Sequence, residues 1–143
     1  MIKILLADDH RIVRQGIRVL LEAESDFNIL AEAKDGLEAI SMVECLHPDI
    51  LLLDLIMPEM NGLEVTKEVK KRFPKTKVVI LTMHANEAYV LEALQAGAQG
   101  YVIKDSSSEE LMRAIREVAA GRRYLGPPLS EEMVEAYRKR ANG

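Results

Sequence analysis

The fold is decided by the stretch Asp49-Ile50-Leu51-Leu52-Leu53-Asp54-Leu55-Ile56-Met57-Pro58, an apolar run that ends in an acidic residue and a turn. Aliphatic residues in a row, such as residues 50–53, are typical of a strand that is buried on both faces. A buried carboxylate is costly unless it is paired, and Asp54 follows the run at once. Pro58 and Gly62 are turn residues, so the next segment is predicted to be a loop. We therefore predict that Asp54 lies at the carboxyl end of a buried strand and faces a crevice.

The composition indicates one globular domain. The chain has 143 residues, of which 48% are hydrophobic and 29% are charged. A net charge of -4 gives no general case for nucleic-acid binding. The single cysteine, Cys45, cannot form an internal disulfide, which fits a reducing compartment. Because no stretch approaches the roughly 20 apolar residues that span a bilayer, we expect a cytoplasmic protein without a membrane anchor.

Short apolar runs alternate with helical periodicity five times along the chain. This alternation predicts a parallel sheet with crossover helices, which is a doubly wound α/β fold. In the first predicted helix, apolar residues recur at helical spacing, and four are expected to face the core: Val13, Ile17, Leu20 and Leu21. The predicted strands are residues 2–7, 28–33, 50–53, 77–82 and 100–104.

Charged or polar residues follow or end the predicted strands. Ligands of a doubly wound sheet bind beyond the carboxyl ends of its strands, so we expect these side chains to meet there: Asp8, Asp9, Asp54, Thr82 and Lys104. Three carboxylates in one crevice repel one another unless a cation neutralises them, and oxygen ligands suit Mg²⁺. A lysine and a hydroxyl would bind an anion above Asp54. The pattern predicts a phosphoryl site with Asp54 as the nucleophile.

These residues resemble the receiver domain of two-component response regulators over residues 1 to about 121. The resemblance implies a flavodoxin-like sheet of five parallel strands in the order 2-1-3-4-5, with five flanking helices. It rests on the following motifs, in the family's order and spacing: Asp8-Asp9, Asp54 with Met57-Pro58, Leu81-Thr82, and Gly100-Tyr101-Val102-Ile103-Lys104.

The resemblance implies a role for each matching residue. Asp54 would accept a phosphoryl group from a phosphohistidine on a sensor histidine kinase, and Lys104 would bind that group. Thr82 would act as a hydroxyl switch and Tyr101 as an aromatic switch. The implied ligands of Mg²⁺ are Asp9, Asp54 and the backbone carbonyl of Ile56, with Asp8 helping through water.

The implied function is a phosphorylation-dependent switch that controls a transcriptional output. The chain would not be an enzyme beyond its own phosphoryl transfer and autodephosphorylation. Its partners would be the kinase and, on phosphorylation, a second copy of itself.

Two details resemble the NarL/FixJ branch, whose members carry a LuxR-type helix-turn-helix. They are Leu81-Thr82-Met83-His84 and Lys104-Asp105. Met83 stands where receivers usually have a small residue, and it would narrow access to the phosphoryl group. Asp105 stands where receivers usually have a proline, so the sequence leaves open whether the Lys104–Asp105 bond is cis. His10 and His84 are expected to be exposed and not to bind metal.

The tail, residues 122–143, is predicted to be a linker and a short helix that begins at Ser130. It resembles the interdomain linker of the NarL/FixJ branch, although the residues of a helix-turn-helix do not follow. DNA would be bound only through such an output domain. The helix has one apolar edge, formed by Met133, Val134 and Tyr137, and three states stay open for it: docking on the receiver, self-association or loose order.

Two other functions compete with the switch. A single-domain adaptor would bind a protein partner without needing a phosphoryl group. A small-molecule enzyme is disfavoured because the sequence has neither a G-x-G-x-x-G motif nor a P-loop. It also lacks the second acidic residue, two positions after Asp54, of haloacid-dehalogenase-type phosphatases.

Overall fold

The computed structural model describes residues 1–84 and 86–142. Its strands are β1 (Ile2–Ala7), β2 (Phe27–Ala33), β3 (Ile50–Leu53), β4 (Lys77–Thr82), β5 (Gly100–Ile103) and β6 (Tyr124–Leu125). Its helices are α1 (Arg11–Glu22), α2 (Gly36–Leu46), α3 (Gly62–Arg72), α4 (Glu87–Ala96), α5 (Ser108–Ala119) and α6 (Glu131–Asn142). Within the described residues, no helix is both long enough and apolar enough to cross a membrane.

The strands form one parallel sheet in the order β2-β1-β3-β4-β5-β6. The doubly wound α/β class and the order of the first five strands are confirmed. The expected number of strands was one too few, because the tail adds β6 beside β5. The Tyr124 N–H donates to the Gln99 carbonyl at 3.0 Å and the Gly126 N–H to the Tyr101 carbonyl at 2.8 Å. These two bonds satisfy backbone groups that would otherwise lie on an open sheet edge.

Two hydrophobic cores lie on opposite faces of the sheet, and β3 contributes to both. Leu51 and Leu53 pack in one core, whereas Ile50 and Leu52 pack in the other. All four are fully buried. The continuous apolar run of residues 50–53 is therefore a central strand covered on both faces.

Helix α1 packs on the sheet along a narrower stripe than its periodicity predicts. Ile17 and Leu21 are buried, as expected, but Val13 and Leu20 are exposed. Successive residues of a helix are turned by about 100°, so Leu20 points well away from Leu21. The expectation that Val13 and Leu20 face the core is wrong.

The tail docks on the receiver, which is one of the three states left open by the sequence. Helix α6 packs against α4, and Leu129 and Val134 are buried in the same core as β3 residues Leu51 and Leu53. The Arg140 Nη2 atom also lies 2.8 Å from Glu87 Oε2 at the start of α4. In the described residues the cis peptide bond is Pro127–Pro128, so the Lys104–Asp105 bond is trans.

Candidate functional site

Three charged side chains meet beyond the carboxyl ends of neighbouring strands. Asp8 follows β1, Asp54 follows β3 and Lys104 follows β5. The Lys104 Nζ atom donates to Asp8 Oδ2 at 2.7 Å and to Asp54 Oδ2 at 3.3 Å. The crevice predicted from the sequence is therefore present, and the Lys104 ammonium lies between the carboxylates of Asp8 and Asp54.

Burial makes the ionised carboxylates of this crevice energetically unfavourable. Asp8 and Asp54 are buried, with 1% and 5% of their surfaces exposed. Burial raises the pKa of the Asp54 carboxyl, the positive charge of Lys104 opposes this rise, and the charge of Asp8 adds to it. Burial alone would lower the pKa of Lys104, but the hydrogen bond from Lys104 to Asp8 and the charges of both acids raise it overall.

The pKa values of Asp54 and Lys104 are both raised, but a raised pKa disfavours an ionised acid and favours an ionised base. The raised pKa of Lys104 indicates a favourable pair, whereas that of Asp54 indicates a charge that is incompletely compensated. The distances reconcile them, because Lys104 binds Asp8 more closely than Asp54. One lysine serves two buried carboxylates, so Asp54 carries negative charge that a further cation would neutralise.

The donor set fits a hard divalent cation. Oxygen or nitrogen atoms of Asp8, Asp9, His10 and Asp54 all lie within 4.8 Å of one another. Both oxygens of Asp8 are already engaged, one by the His10 N–H at 2.8 Å and one by Lys104. Asp8 therefore fits a role through water better than direct ligation, and Asp9 and Asp54 are the better placed for direct contact.

His10 is exposed, as expected, but its ring lies among the acids. Its Nδ1 atom is 3.2 Å from Asp9 Oδ1 and 3.4 Å from Asp8 Oδ1. The sequence expectation that His10 does not bind metal stays a prediction. The backbone after Asp54 is also close, since the Ile56 N–H points to Asp54 Oδ1 at 3.4 Å.

The two predicted switch residues are buried next to the crevice. Thr82 ends β4, and its Oγ1 atom accepts a weak bond from the His84 N–H at 3.4 Å. Tyr101 is fully buried, and its hydroxyl donates to the His84 carbonyl at 2.6 Å. Burial raises the pKa of the Tyr101 phenol above its usual range. Tyr101 is thus already turned inward.

The His84 ring contacts the edge of Tyr89 on α4, with their centroids 5.5 Å apart. His84 therefore connects the end of β4 to both Tyr101 and α4. The side chain of Met83 is largely exposed.

Two positioning residues were missed from the sequence. Arg14 on α1 donates from Nη1 to the Asp8 carbonyl at 2.6 Å and from Nε to Glu32 at 2.8 Å. A Cβ atom at Gly62 would come within 2.6 Å of the Asp54 carbonyl, so only glycine lets α3 begin so close to the crevice. Gly62 was interpreted only as a turn residue, and no motif marked Arg14, because its side-chain partner Glu32 is 18 residues away.

The family model for the response regulator receiver domain matches residues 4–116. The chain is 36% identical over 141 residues to the transcriptional regulatory protein DegU of Brevibacillus brevis, covering 99% of this chain and 60% of the relative. It is 40% identical over 136 residues to the oxygen regulatory protein NreC of Staphylococcus epidermidis, covering 94% and 62%. The chain thus spans about 60% of the length of these relatives.

Solved structures agree with this result. A LuxR-family two-component response regulator from Aurantimonas superposes with a TM-score of 0.85 at 36% identity, covering 99% of this chain and 98% of that one. The receiver domain of the NarL regulator from Mycobacterium tuberculosis gives 0.82 at 35% identity, covering 85% and 98%. The resemblance to the receiver of LuxR-type regulators is confirmed, and the chain belongs to the response regulator receiver domain family.

Proposed function

We propose that this chain accepts a phosphoryl group on Asp54 from a phosphohistidine of a sensor histidine kinase, with Mg²⁺ bound, and thereby controls a transcriptional output. The observation that carries the proposal is the arrangement of Lys104 between Asp8 and Asp54 at the carboxyl ends of β1 and β3. A structural role alone would not call for two buried carboxylates on one lysine. The family and the regulatory names of the relatives support it.

In the transfer, an oxygen of the ionised Asp54 carboxylate forms a bond to phosphorus. The P–N bond of the phosphohistidine breaks, and its electron pair stays on the imidazole. Lys104 offsets the charge that spreads over the phosphoryl oxygens. No general base is required because the attacking oxygen is already ionised.

The residues proposed to hold Mg²⁺ are Asp9, Asp54 and the Ile56 carbonyl, with Asp8 acting through water. The ion would offset the negative charge of the acids and of the incoming phosphoryl group. Binding of the ion would also favour the ionised form of Asp54, and thus counteract the effect of burial on its pKa.

The phosphorylated state is proposed to reach the rest of the molecule through Thr82 and Tyr101. A phosphoryl oxygen would accept a bond from the Thr82 hydroxyl, which currently accepts from the His84 N–H. His84 contacts both Tyr101 and α4, and α4 supports α6. A change at Thr82 is therefore proposed to alter the surface formed by α4 and α6.

The remaining assignments follow from the proposed role. Residues 1–121 are the receiver, and residues 122–143 are the linker to an output domain that would bind DNA. The protein would act in the cytoplasm, and its only catalysis would be its own phosphoryl transfer and dephosphorylation.

Intact-protein mass spectrometry tests the proposal. Incubation with acetyl phosphate and Mg²⁺ should add one phosphoryl group per chain, and chelation of Mg²⁺ should prevent the addition. The Asp54→Asn variant, which keeps the shape of the side chain, should gain nothing. Equal gain by Asp54→Asn would disprove the assignment of Asp54.

The inward position of Tyr101 favours a second candidate function. Its hydroxyl is bonded to the His84 carbonyl without a phosphoryl group. A receiver whose aromatic residue is already inward could bind a partner protein constitutively, as a phosphorylation-independent adaptor. Equal affinity for a captured partner with and without acetyl phosphate would favour the adaptor, whereas a change in affinity would favour the switch.

A further inference from the structure

The loop between β3 and α3 contains a strained turn at Glu59. The Met60 N–H donates to the Pro58 carbonyl at 2.8 Å, and Glu59 between them has a φ of 67°. A bond across two residues with a positive central φ defines a γ-turn of the rare, strained form. Glycine adopts a positive φ readily, whereas the Cβ atom of a glutamate makes it unfavourable. The Glu59 side chain is exposed, so burial of that side chain does not impose the turn.

The backbone on both sides of Glu59 holds the turn in place. The Gly62 N–H donates to the Leu55 carbonyl at 2.7 Å, which closes the loop on itself. The Asn61 side chain accepts from the Glu64 N–H at 3.0 Å and caps α3, so the far end of the loop is fixed to the helix. The chain must therefore reverse direction within a short span, which a three-residue γ-turn allows.

Helix α2 holds the loop at the residue after Glu59. A Cβ atom at Gly36, the first residue of α2, would come within 2.5 Å of the Met60 carbonyl oxygen and 2.9 Å of the Met60 Cβ atom. The α2 backbone can therefore pack this closely on Met60 only because residue 36 is a glycine. Met60 also packs against the hydrophobic core, so its position opposes relaxation of the turn.

The same loop holds Ile56, whose carbonyl is a proposed ligand of Mg²⁺. Its neighbours Leu55 and Met57 are buried, whereas Ile56 is 47% exposed. No backbone N–H of the described residues donates to the Ile56 carbonyl, so its oxygen is available to a cation. Leu55 and Met57 are fixed by burial, so a change of the chain path at Glu59 would be taken up by the exposed residues Ile56 and Pro58.

We propose that Glu59 is a positioning residue for Mg²⁺, because its γ-turn holds the Ile56 carbonyl where the ion binds. This inference rests on the proposed function, which includes Mg²⁺ held by Asp9, Asp54 and Ile56. A loop that is fixed in advance binds the ion without rearrangement, and strained residues are typical of such sites. A chain in which the turn is only partly populated would bind Mg²⁺ more weakly, in proportion to that fraction.

Three substitutions of Glu59 that all remove its charge test the proposal. Glu59→Gln keeps the strain and is the reference, Glu59→Gly relieves the strain, and Glu59→Val increases it because a β-branched residue tolerates a positive φ poorly. Titration of the full 143-residue chain with Mg²⁺, followed by amide NMR shifts, measures the dissociation constant. Glu59→Val should raise this constant about fivefold or more relative to Glu59→Gln, and Glu59→Gly should not raise it.

Gly36→Ala tests the loop from the side of α2 without changing Glu59. The added Cβ atom would displace the Met60 carbonyl, so the dissociation constant for Mg²⁺ should rise here as well. Gly16→Ala on α1 is the matched control, because a Cβ atom there would meet nothing within 4 Å, and it should leave the constant unchanged. Thermal unfolding in the presence of a chelator verifies that each variant is folded.

A turn that is only structural would change the thermal midpoint and leave the dissociation constant for Mg²⁺ unchanged, which would overturn the proposal. Equal weakening by Glu59→Gly and Glu59→Val would also overturn it, because the loss of the side chain would then explain the effect. If the wild-type chain gains a phosphoryl group with Mg²⁺ while Glu59→Val binds the ion as tightly as Glu59→Gln, only the role of Glu59 is wrong. A wild-type chain that binds no Mg²⁺ would contradict both this inference and the proposed function.

Discussion

The two ends of the parallel sheet satisfy their buried polar groups in different ways. At the amino end, the buried Thr76 hydroxyl donates to the Pro48 carbonyl at 2.8 Å. The partly buried Lys70 ammonium also donates there, to the Thr76 carbonyl at 3.1 Å and to Gln99 Oε1 at 3.2 Å, so its partners are neutral groups. At the carboxyl end, Asp8 and Asp54 are buried around Lys104. Among the described residues, no buried side-chain nitrogen or oxygen lacks a hydrogen-bond partner at either end.

This difference separates structure from function. At the amino end, the Thr76 hydroxyl and the Lys70 ammonium bind neutral carbonyl groups, and the described residues bury no carboxylate there. An end of this sheet can therefore be completed without buried carboxylates, and the raised pKa of Asp54 indicates that its ionised form is unfavourable at the carboxyl end. A fold that retains such a charge against its own stability is typical of a functional site. Four changes test this contrast.

Replacing Lys104 by methionine should have the largest effect. It leaves two buried carboxylates without their cation, which costs about 3 kcal/mol of unfolding free energy. Urea unfolding in the presence of a chelator measures the loss, and Mg²⁺ should return part of it. Lys67→Met is the control on an exposed helix face. An unchanged urea midpoint for Lys104→Met would show that Lys104 does not stabilise the two buried carboxylates.

Replacing Thr76 by valine should destabilise the amino end by about 1–2 kcal/mol. The change removes the donor to the Pro48 carbonyl and leaves that carbonyl unsatisfied. Phosphoryl gain per chain should be unaffected. A loss of phosphorylation in a folded Thr76→Val protein would remove the distinction between the two ends.

Replacing Tyr101 by phenylalanine should cost about 1 kcal/mol, since it removes only the bond to the His84 carbonyl. Thermal unfolding measures this cost, with Tyr137→Phe on α6 as the control. The switch proposal further expects amide exchange in α4 and α6 to respond less to phosphorylation in Tyr101→Phe than in the wild-type protein. An identical response in both proteins would remove Tyr101 from the transmission.

The smallest effect is expected for Asp54→Asn, and it depends on pH. Because the folded protein raises the pKa of Asp54, it holds that proton more strongly than the unfolded chain does. Ionised Asp54 therefore weakens the fold above its folded pKa, and the penalty fades as the pH falls through that pKa. Asp54→Asn should stabilise the metal-free protein near neutral pH, and this advantage should vanish in acid. A constant difference across this pH range would contradict the assigned shift.

The sequence predicted the fold and the crevice because both depend on local patterns. The apolar run before Asp54 identifies a central strand, and chain order places Asp8, Asp54 and Lys104 at one edge of the sheet. The order of strands and charged residues in the sequence was therefore enough to predict that these distant charges meet.

What the sequence missed depends on long-range packing. The pairing of β6 with β5 involves two residues without a periodic signal. Periodicity also failed to show that Val13 and Leu20 lie beside the buried stripe of α1 rather than within it. Likewise, the inward position of Tyr101 depends on the His84 carbonyl, which no sequence pattern could locate.

Asp54, and not a neighbouring acid, is the proposed acceptor of the phosphoryl group. Reductive trapping tests it directly, because borohydride reduces an acyl phosphate to an alcohol and converts the modified aspartate to homoserine. After incubation with acetyl phosphate and Mg²⁺, peptide mass spectrometry should locate homoserine at position 54 only. Homoserine at the position of Asp8 or Asp9, or at none of the three, would contradict the account.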